Sequence, residues 1–263
     1  GHMRKTEQKF TSLKRVLIGG SAAPRAMMRE FQEKYGVEGL QGWGMTEMSP
    51  IGTVSMIRPK DADLPLDRQF DIKAKQGRAV FGVEMKIVND DGQALPRDGK
   101  SFGELLVRGP AIISGYYENP EASAKAFDSE GWFRTGDVSK IDPEGYMEIV
   151  DRTKDVIKSG GEWISSIDLE NEAVGHPEIA EAAVIAVHHP KWDERPLLVV
   201  VREPDSQLDK QGVIDYLSQR VAKWWLPDDV VFVDELPHGA TGKLQKAKLR
   251  EQFKDYSFPE VGG

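Results

Sequence analysis

The 263 residues contain no cysteine, no excess of positive charge and no apolar run approaching the roughly 20 residues that a membrane-spanning helix requires. Without cysteine there are no disulfide staples, thiolate metal sites or cysteine nucleophile, and the composition fits a reducing compartment, so the cytoplasm is the expected location. Acidic residues outnumber basic ones by 43 to 35, a formal charge of −8. Such a chain has no overall field to hold a polyanion, so nucleic acid is not an expected partner and any phosphate site must be local. No integral membrane segment is expected either. What is present is ordinary for a folded, water-soluble chain: 39% hydrophobic and 30% charged residues. The length suits two domains. Gly1-His-Met3 reads as a tag remnant.

The pattern along the chain predicts a mixed α/β (α+β) fold. A short buried strand, Arg15 to Ile18, runs into a helix through about Tyr35, ended by Gly36. Val37 to Gln41 leads into a loop, Gly42-Trp-Gly-Met-Thr-Glu47, whose glycines let backbone approach a ligand closely. Lys60 to Lys75 reads as an irregular surface excursion. Gly77 to Gly109 reads as short strands forming a small β-subdomain, barrel-like in outline. A short helix follows at Pro120 to Phe127, then a loop at Gly131 to Asp137 and a hairpin over 138–150. The domain boundary is placed there: residues 4–150 form one domain and 151–263 a second, with helices at Ser166 to Val174, Asp209 to Lys223 and Gln245 to Phe253 among three strands.

The most informative segment is Asp151-Arg-Thr-Lys-Asp-Val-Ile-Lys-Ser-Gly-Gly161, which crowds charges and a glycine pair into a stretch able to grip a ligand and to pivot. Asp137, at a glycine turn, is suited to accept two vicinal ribose hydroxyls, and Arg152 offers donors to the same sugar or to a phosphate. Trp43 supplies a flat face for a purine. Thr46 can donate to a phosphate oxygen, and Glu47 is a hard oxygen ligand of the kind Mg2+ takes alongside nucleotide phosphates. Each also has an ordinary structural reading: Trp43 as a packed aromatic, Thr135-Gly-Asp137 as a turn, Glu47 as a solvated carboxylate, Lys158 to Gly161 as a hairpin turn and Lys243 as a solvated lysine. The tryptophans Trp163, Trp224 and Trp225 read as packing of a small domain, and His188-His189 as a strand-end loop.

Joint order decides among these. Gly42-Trp-Gly-Met-Thr-Glu47, Gly103-Glu-Leu-Leu-Val-Arg-Gly-Pro110, Trp132-Phe-Arg-Thr-Gly-Asp137, Asp151 to Gly161 and Pro237-His-Gly-Ala-Thr-Gly-Lys243 together resemble the adenylate-forming superfamily of acyl-CoA synthetases, peptide-synthetase adenylation domains and luciferases. Among its subgroups the chain most resembles bacterial medium-chain and long-chain fatty acyl-CoA ligases and methylthiopropionate-CoA ligases. The resemblance implies ATP-dependent adenylation of a carboxylic acid, then thioesterification with CoA and release of AMP and pyrophosphate.

Residue by residue, it implies Trp43 at the adenine, Gly44 beside it among the nucleotide-binding residues, and Thr46 at the phosphate. Glu47 falls at Mg2+, and Asp137 and Arg152 at the ribose. Lys243 is implied to bridge carboxylate and α-phosphate, and Lys154 to be the hinge. Lys158, Gly160, Gly161 and Glu162 lie on the face that helps form the thiol tunnel. The family's Ser/Thr/Gly-rich phosphate loop has no counterpart here, so the resemblance implies a C-terminal half: the end of a large AMP-binding domain followed by a small mobile domain, inactive alone and open to homodimerisation through exposed apolar edges. Two other readings stay open, a non-catalytic nucleotide-binding module and an adenylation enzyme that serves a carrier protein.

Overall fold

The computed structural model describes residues 9–20, 23, 25–239 and 244–259. Its chain separates into two units, one ending at Ile149 and the other beginning at Val150. In the first unit, strand β1 (Arg15–Ile18), helix α1 (Arg25–Tyr35) and strand β2 (Glu38–Gly44) form a crossover that sets β1 and β2 parallel. Strands β3 (Ile51–Val54) and β4 (Arg78–Ala79) add antiparallel, giving the order β1-β2-β3-β4. Between β3 and β4 lies helix α2 (Leu66–Lys73), in the stretch expected to be irregular. Its one large apolar anchor, Phe70, is buried with Met28 of α1, and Lys73 pairs with Glu38 at 3.4 Å. A single anchor among aspartates leaves no legible period, and tertiary packing makes the helix.

The second sheet of this unit is built from β5 (Glu84–Val88), β6 (Phe102–Arg108), β7 (Phe133–Ile141) and β8 (Met147–Arg152), in that order, with helix α3 (Pro120–Ala126) before β7. It is open, not barrel-like, because four strands are too few to close around a packed interior. Met85, Ile87, Leu105, Val107, Phe133, Ile141 and Met147 share one buried cluster with Trp43 and Met48. That cluster brings the end of β2 against β7.

The second unit carries a five-stranded sheet. Strands β9 (Ile157–Ser159), β10 (Glu162–Ile164), β11 (Ile179–His189) and β12 (Asp193–Arg202) follow the order β10-β9-β12-β11, and β13 (Asp229–Phe232) pairs parallel to β12. The run Leu197-Leu-Val-Val200 is apolar throughout because both faces of β12 are covered. Leu198 and Val200 face a cluster with Leu169 and Ala173 of α4 (Ser166–Val174) and Val213 and Leu217 of α5 (Lys210–Ser218). Leu197 and Val199 face another with Leu236 and with Leu249 of α6 (Lys246–Gln252). Helices α4 and α5 start at side-chain caps: Ser165 accepts from Asp168 N at 3.1 Å and Asp209 from Gly212 N at 2.8 Å.

Candidate active site

In the first unit, the Thr135-Gly-Asp137 stretch expected as a loop lies inside β7. Between the pairs Glu104–Val138 and Leu106–Arg134, three residues of β7 stand opposite Leu105 alone. The resulting bulge re-aims the side chains of this stretch. Thr135 fixes it from within: its hydroxyl donates to Leu105 O at 2.8 Å and accepts from Asp137 N at 3.1 Å. Asp137 is 2% exposed, and its Oδ2 accepts a hydrogen bond of 2.7 Å from the indole Nε1 of Trp43, itself 7% exposed. A carboxylate this buried holds its orientation through such a donor, and the charge-assisted bond is strong. The Trp43 ring packs in the core, which is the ordinary reading weighed for it, and its N–H meets Asp137, a residue singled out for the sugar.

Gly42, Trp43 and Gly44 close strand β2 instead of opening a loop, and the register with β3 shifts between Trp43 and Gly44. A Cβ on Gly44 would stand 1.9 Å from Pro50 O, a backbone atom with no freedom to yield. Gly44→Ala is expected to cost at least about 2 kcal/mol of stability, measured as a lowered denaturation midpoint with unchanged slope. Thr46 and Glu47 open a short 3-10 turn, Thr46 exposed and Glu47 half-buried. Glu47 Oε1 accepts from the hydroxyl of Tyr116 at 3.1 Å, and burial together with that carboxylate pushes the Tyr116 phenol up from its ordinary value. Tyr116 was not expected from the sequence. The only local signal is its place just ahead of the Asn119-Pro120 helix start, where Asn119 caps Ala122 N at 3.0 Å.

Among the described residues no cluster of three or more His, Asp or Glu side chains is arranged to hold a metal. One half-open carboxylate still fits magnesium bound with nucleotide phosphates, since that ion typically takes one or two protein carboxylates and fills its shell with phosphate and water. His189 accepts backbone N–H groups of Lys191 and Trp192 at 3.1 and 3.3 Å, which is the work of a turn.

In the second unit, Arg152 and Lys154 are exposed at the rim of a cleft that also takes in Asp151, Glu170 and Lys246. Asp151 is fully buried, and its Oδ2 accepts from Ser166 N at 2.6 Å and Ser166 Oγ at 2.7 Å. Lys246 Nζ reaches Ser166 Oγ at 2.5 Å and Glu170 Oε1 at 2.7 Å, and Glu170 also accepts from Val184 N at 2.7 Å. Burial pushes both the Asp151 and Glu170 carboxyls up from their ordinary values, and the Lys246 charge pulls both back.

A raised folded-state value means the protonated form favours the fold. That contribution is complete below the ordinary carboxylate range and is lost as pH rises through the raised value. Lys246→Met removes the counterweight. Its loss of melting temperature relative to wild type is expected to be larger at pH 8 than at pH 5, as read by thermal melts at both.

Lys158 to Gly161 forms a tight hairpin, with Glu162 paired to Ser159 and Gly160 and Gly161 at φ of 59° and 88°. Both values lie in the left-handed region that glycine adopts without strain. Lys158 lies 5.0 Å from the Trp163 ring centroid, and Gly160 N donates to Trp192 O at 2.8 Å. Trp225 packs on the core and Trp224 is 44% exposed. Lys243 lies outside the described residues. The chain on either side of its loop is held by the bridge between His238 and Leu244 and by Gln245 N donating to Pro237 O at 2.7 Å.

Comparison with known proteins places this geometry. Residues 2–117 match the AMP-binding enzyme family and residues 168–243 the AMP-binding enzyme C-terminal domain. A 3-methylmercaptopropionyl-CoA ligase of Ruegeria lacuscaerulensis is 51% identical over 97% of this chain and 47% of its own. A medium-chain-fatty-acid–CoA ligase of Ectopseudomonas oleovorans is 50% identical over 94% of this chain and 45% of its own. The o-succinylbenzoate CoA synthetase of Bacillus subtilis, solved with its acyl-adenylate intermediate, is 30% identical with a TM-score of 0.77, covering 99% of this chain and 50% of that one. The chain thus spans about half the length of the curated relatives it matches.

Proposed function

The chain belongs to the AMP-binding enzyme family through both of its units, and from that premise we propose that it is the C-terminal half of an AMP-forming acyl-CoA ligase acting on fatty acids. One observation carries this reading: the buried bond from Trp43 to Asp137, which joins two of the separate motifs at the residue assigned to the ribose. The ligase named for medium-chain fatty acids, half identical to this chain, supports the substrate class. The one named for 3-methylmercaptopropionate favours a second substrate, a short thioether acid.

In the proposed chemistry, a carboxylate oxygen attacks the α-phosphorus of ATP and pyrophosphate leaves. The sulfur of CoA then attacks the acyl carbon, and AMP departs with the bridging oxygen. Asp137 accepts the ribose hydroxyls, with Trp43 holding its carboxylate in place and Gly44 keeping the end of β2 where it is. Arg152 donates to the sugar or a phosphate, and Thr46 to a phosphate oxygen. Lys243 bridges carboxylate and α-phosphate as negative charge grows in flight, where a preorganised cation counts most. Glu47, held by Tyr116, would hold magnesium, whose charge offsets that of the phosphates. Lys154 is the pivot residue, and Lys158 to Glu162 flank the path of the thiol.

Pyrophosphate release by the full-length ligase, followed over fatty acids of increasing length and 3-methylmercaptopropionate, with and without CoA, tests the proposal. Carboxylate-dependent release, accelerated by CoA, is expected from the full-length ligase and none from the 263 residues alone. Release indifferent to the carboxylate contradicts it.

A further inference from the structure

We propose that Lys246 is a positioning residue for adenylation: through Glu170, Ser166 and Asp151 it fixes the chain that follows the Lys243 loop to the segment that begins at Asp151. The inference rests on the proposed function above and adds to it a residue that no motif assigns.

The network is compact and almost dry. The Lys246 side chain is 11% exposed and that of Glu170 15%, while Asp151 is fully buried. One ammonium thus bonds the Glu170 carboxylate and the Ser166 hydroxyl, which in turn donates to Asp151, and a cation fixed by two buried partners has very little freedom to shift. Each partner is anchored in turn. Glu170 sits on α4 and accepts from β11 through Val184 N at 2.7 Å. Asp151 also accepts from Arg152 N at 2.7 Å, and the neighbouring Ser165 hydroxyl donates to Val150 O at 2.8 Å. The start of α4 is therefore stitched to residues 150–152, and Lys246 to that stitch.

Lys246 opens α6, two residues after Leu244, which is bridged to His238 and joined directly to Lys243. Behind it, Arg250 on the same helix pairs with Asp155. Charges at the first and fifth residues of one helix thus tie it to the 151–155 segment, Lys246 through the Ser166 hydroxyl and Arg250 directly at Asp155, so α6 and the residue before it follow wherever that segment goes. Without Lys246 the first turn of α6 would lose its charged anchor to the Asp151 segment, leaving Arg250 as the charged tie to it.

The test is the two half-reactions measured separately in the full-length ligase. Adenylation is read as carboxylate-dependent pyrophosphate exchange and thioesterification as CoA-dependent consumption of preformed acyl-adenylate, for wild type, K246M, K246R, E170Q and K243A. K246M is expected to lower adenylation kcat by about ten- to a hundredfold, the scale of a misplacement near 1 Å, with KM for ATP within about twofold and thioesterification within about threefold. K246R, which keeps the charge, should recover most of the loss. E170Q, isosteric and less disruptive, should reproduce part of it should K246M fold poorly. K246M exchanging at the wild-type rate while K243A does not, or both half-reactions falling in parallel in E170Q, overturns the inference and leaves the function standing. K243A exchanging like wild type overturns the function itself.

Discussion

Replacing Lys243 with alanine in the full-length ligase is expected to slow acyl-adenylate formation by about a hundred- to a thousandfold, while CoA attack on preformed acyl-adenylate stays within a few fold. The asymmetry follows from where charge develops. In the proposed first step the carboxylate and the α-phosphate, both anionic, must approach each other, and a lysine between them would offset a repulsion that grows toward the transition state. In the second step a thiol meets an uncharged acyl carbon and the leaving AMP already carries its charge, so the same lysine has little to stabilise. Equal loss in both half-reactions would mean that Lys243 supports the fold or binds nucleotide uniformly, and the assignment would fall.

The second large effect is expected at Asp137. Asp137→Ala removes the proposed ribose acceptor and strands the Trp43 indole N–H, now bonded at 2.7 Å. Loss of charge-assisted hydrogen bonds worth about 1.5–3 kcal/mol each should raise KM for ATP by about ten- to a hundredfold. The stranded donor should lower stability by about 1–3 kcal/mol in the same variant. Trp43→Phe separates the two contributions, because it keeps Asp137 and an aromatic ring in the core while removing the indole N–H together with part of the ring volume. It is expected to raise KM for ATP severalfold without changing KM for the carboxylate. Steady-state kinetics with each substrate varied in turn, beside a denaturation curve for each variant, reads both quantities. An Asp137→Ala enzyme with wild-type affinity for ATP would remove the ribose anchor from the scheme.

Much of the architecture was legible because the second unit obeys local rules. Ser165 caps α4 where the apolar period begins, Asp209 caps α5, and the Leu197–Val200 run announces a strand covered on both faces. The first unit was harder. Phe133 to Asp137 has the glycine and polar residues of a loop, yet it folds as a bulged strand because Phe133 and Val138 are buried on either side of the bulge. Helix α2 escaped because its apolar contact with α1 runs through Phe70. Its other ties to α1 are ion pairs and a hydrogen bond, such as Arg25 with Asp67 and Asp71 and Lys73 with Gln32, which leave no apolar period to read. An open four-stranded sheet and a barrel share one sequence alternation, and only strand count separates them.

The site divides in the same way. Its motif residues stand out in the sequence, whereas the contacts that orient them do not. Trp43 meets Asp137 across 94 residues and Lys246 meets Ser166 across 80, separations at which no local pattern speaks. Tyr116 on Glu47, 69 residues apart, is the same case.

The central claim is that a carboxylate oxygen becomes bonded to the α-phosphorus of a nucleotide. Oxygen-18 in the carboxyl group of a fatty acid, turned over by the full-length ligase with ATP and CoA, tests it by mass spectrometry of the nucleotide product. One labelled oxygen in AMP, with none in pyrophosphate, is the predicted result. Unlabelled AMP, or label appearing in free phosphate beside ADP, would contradict it.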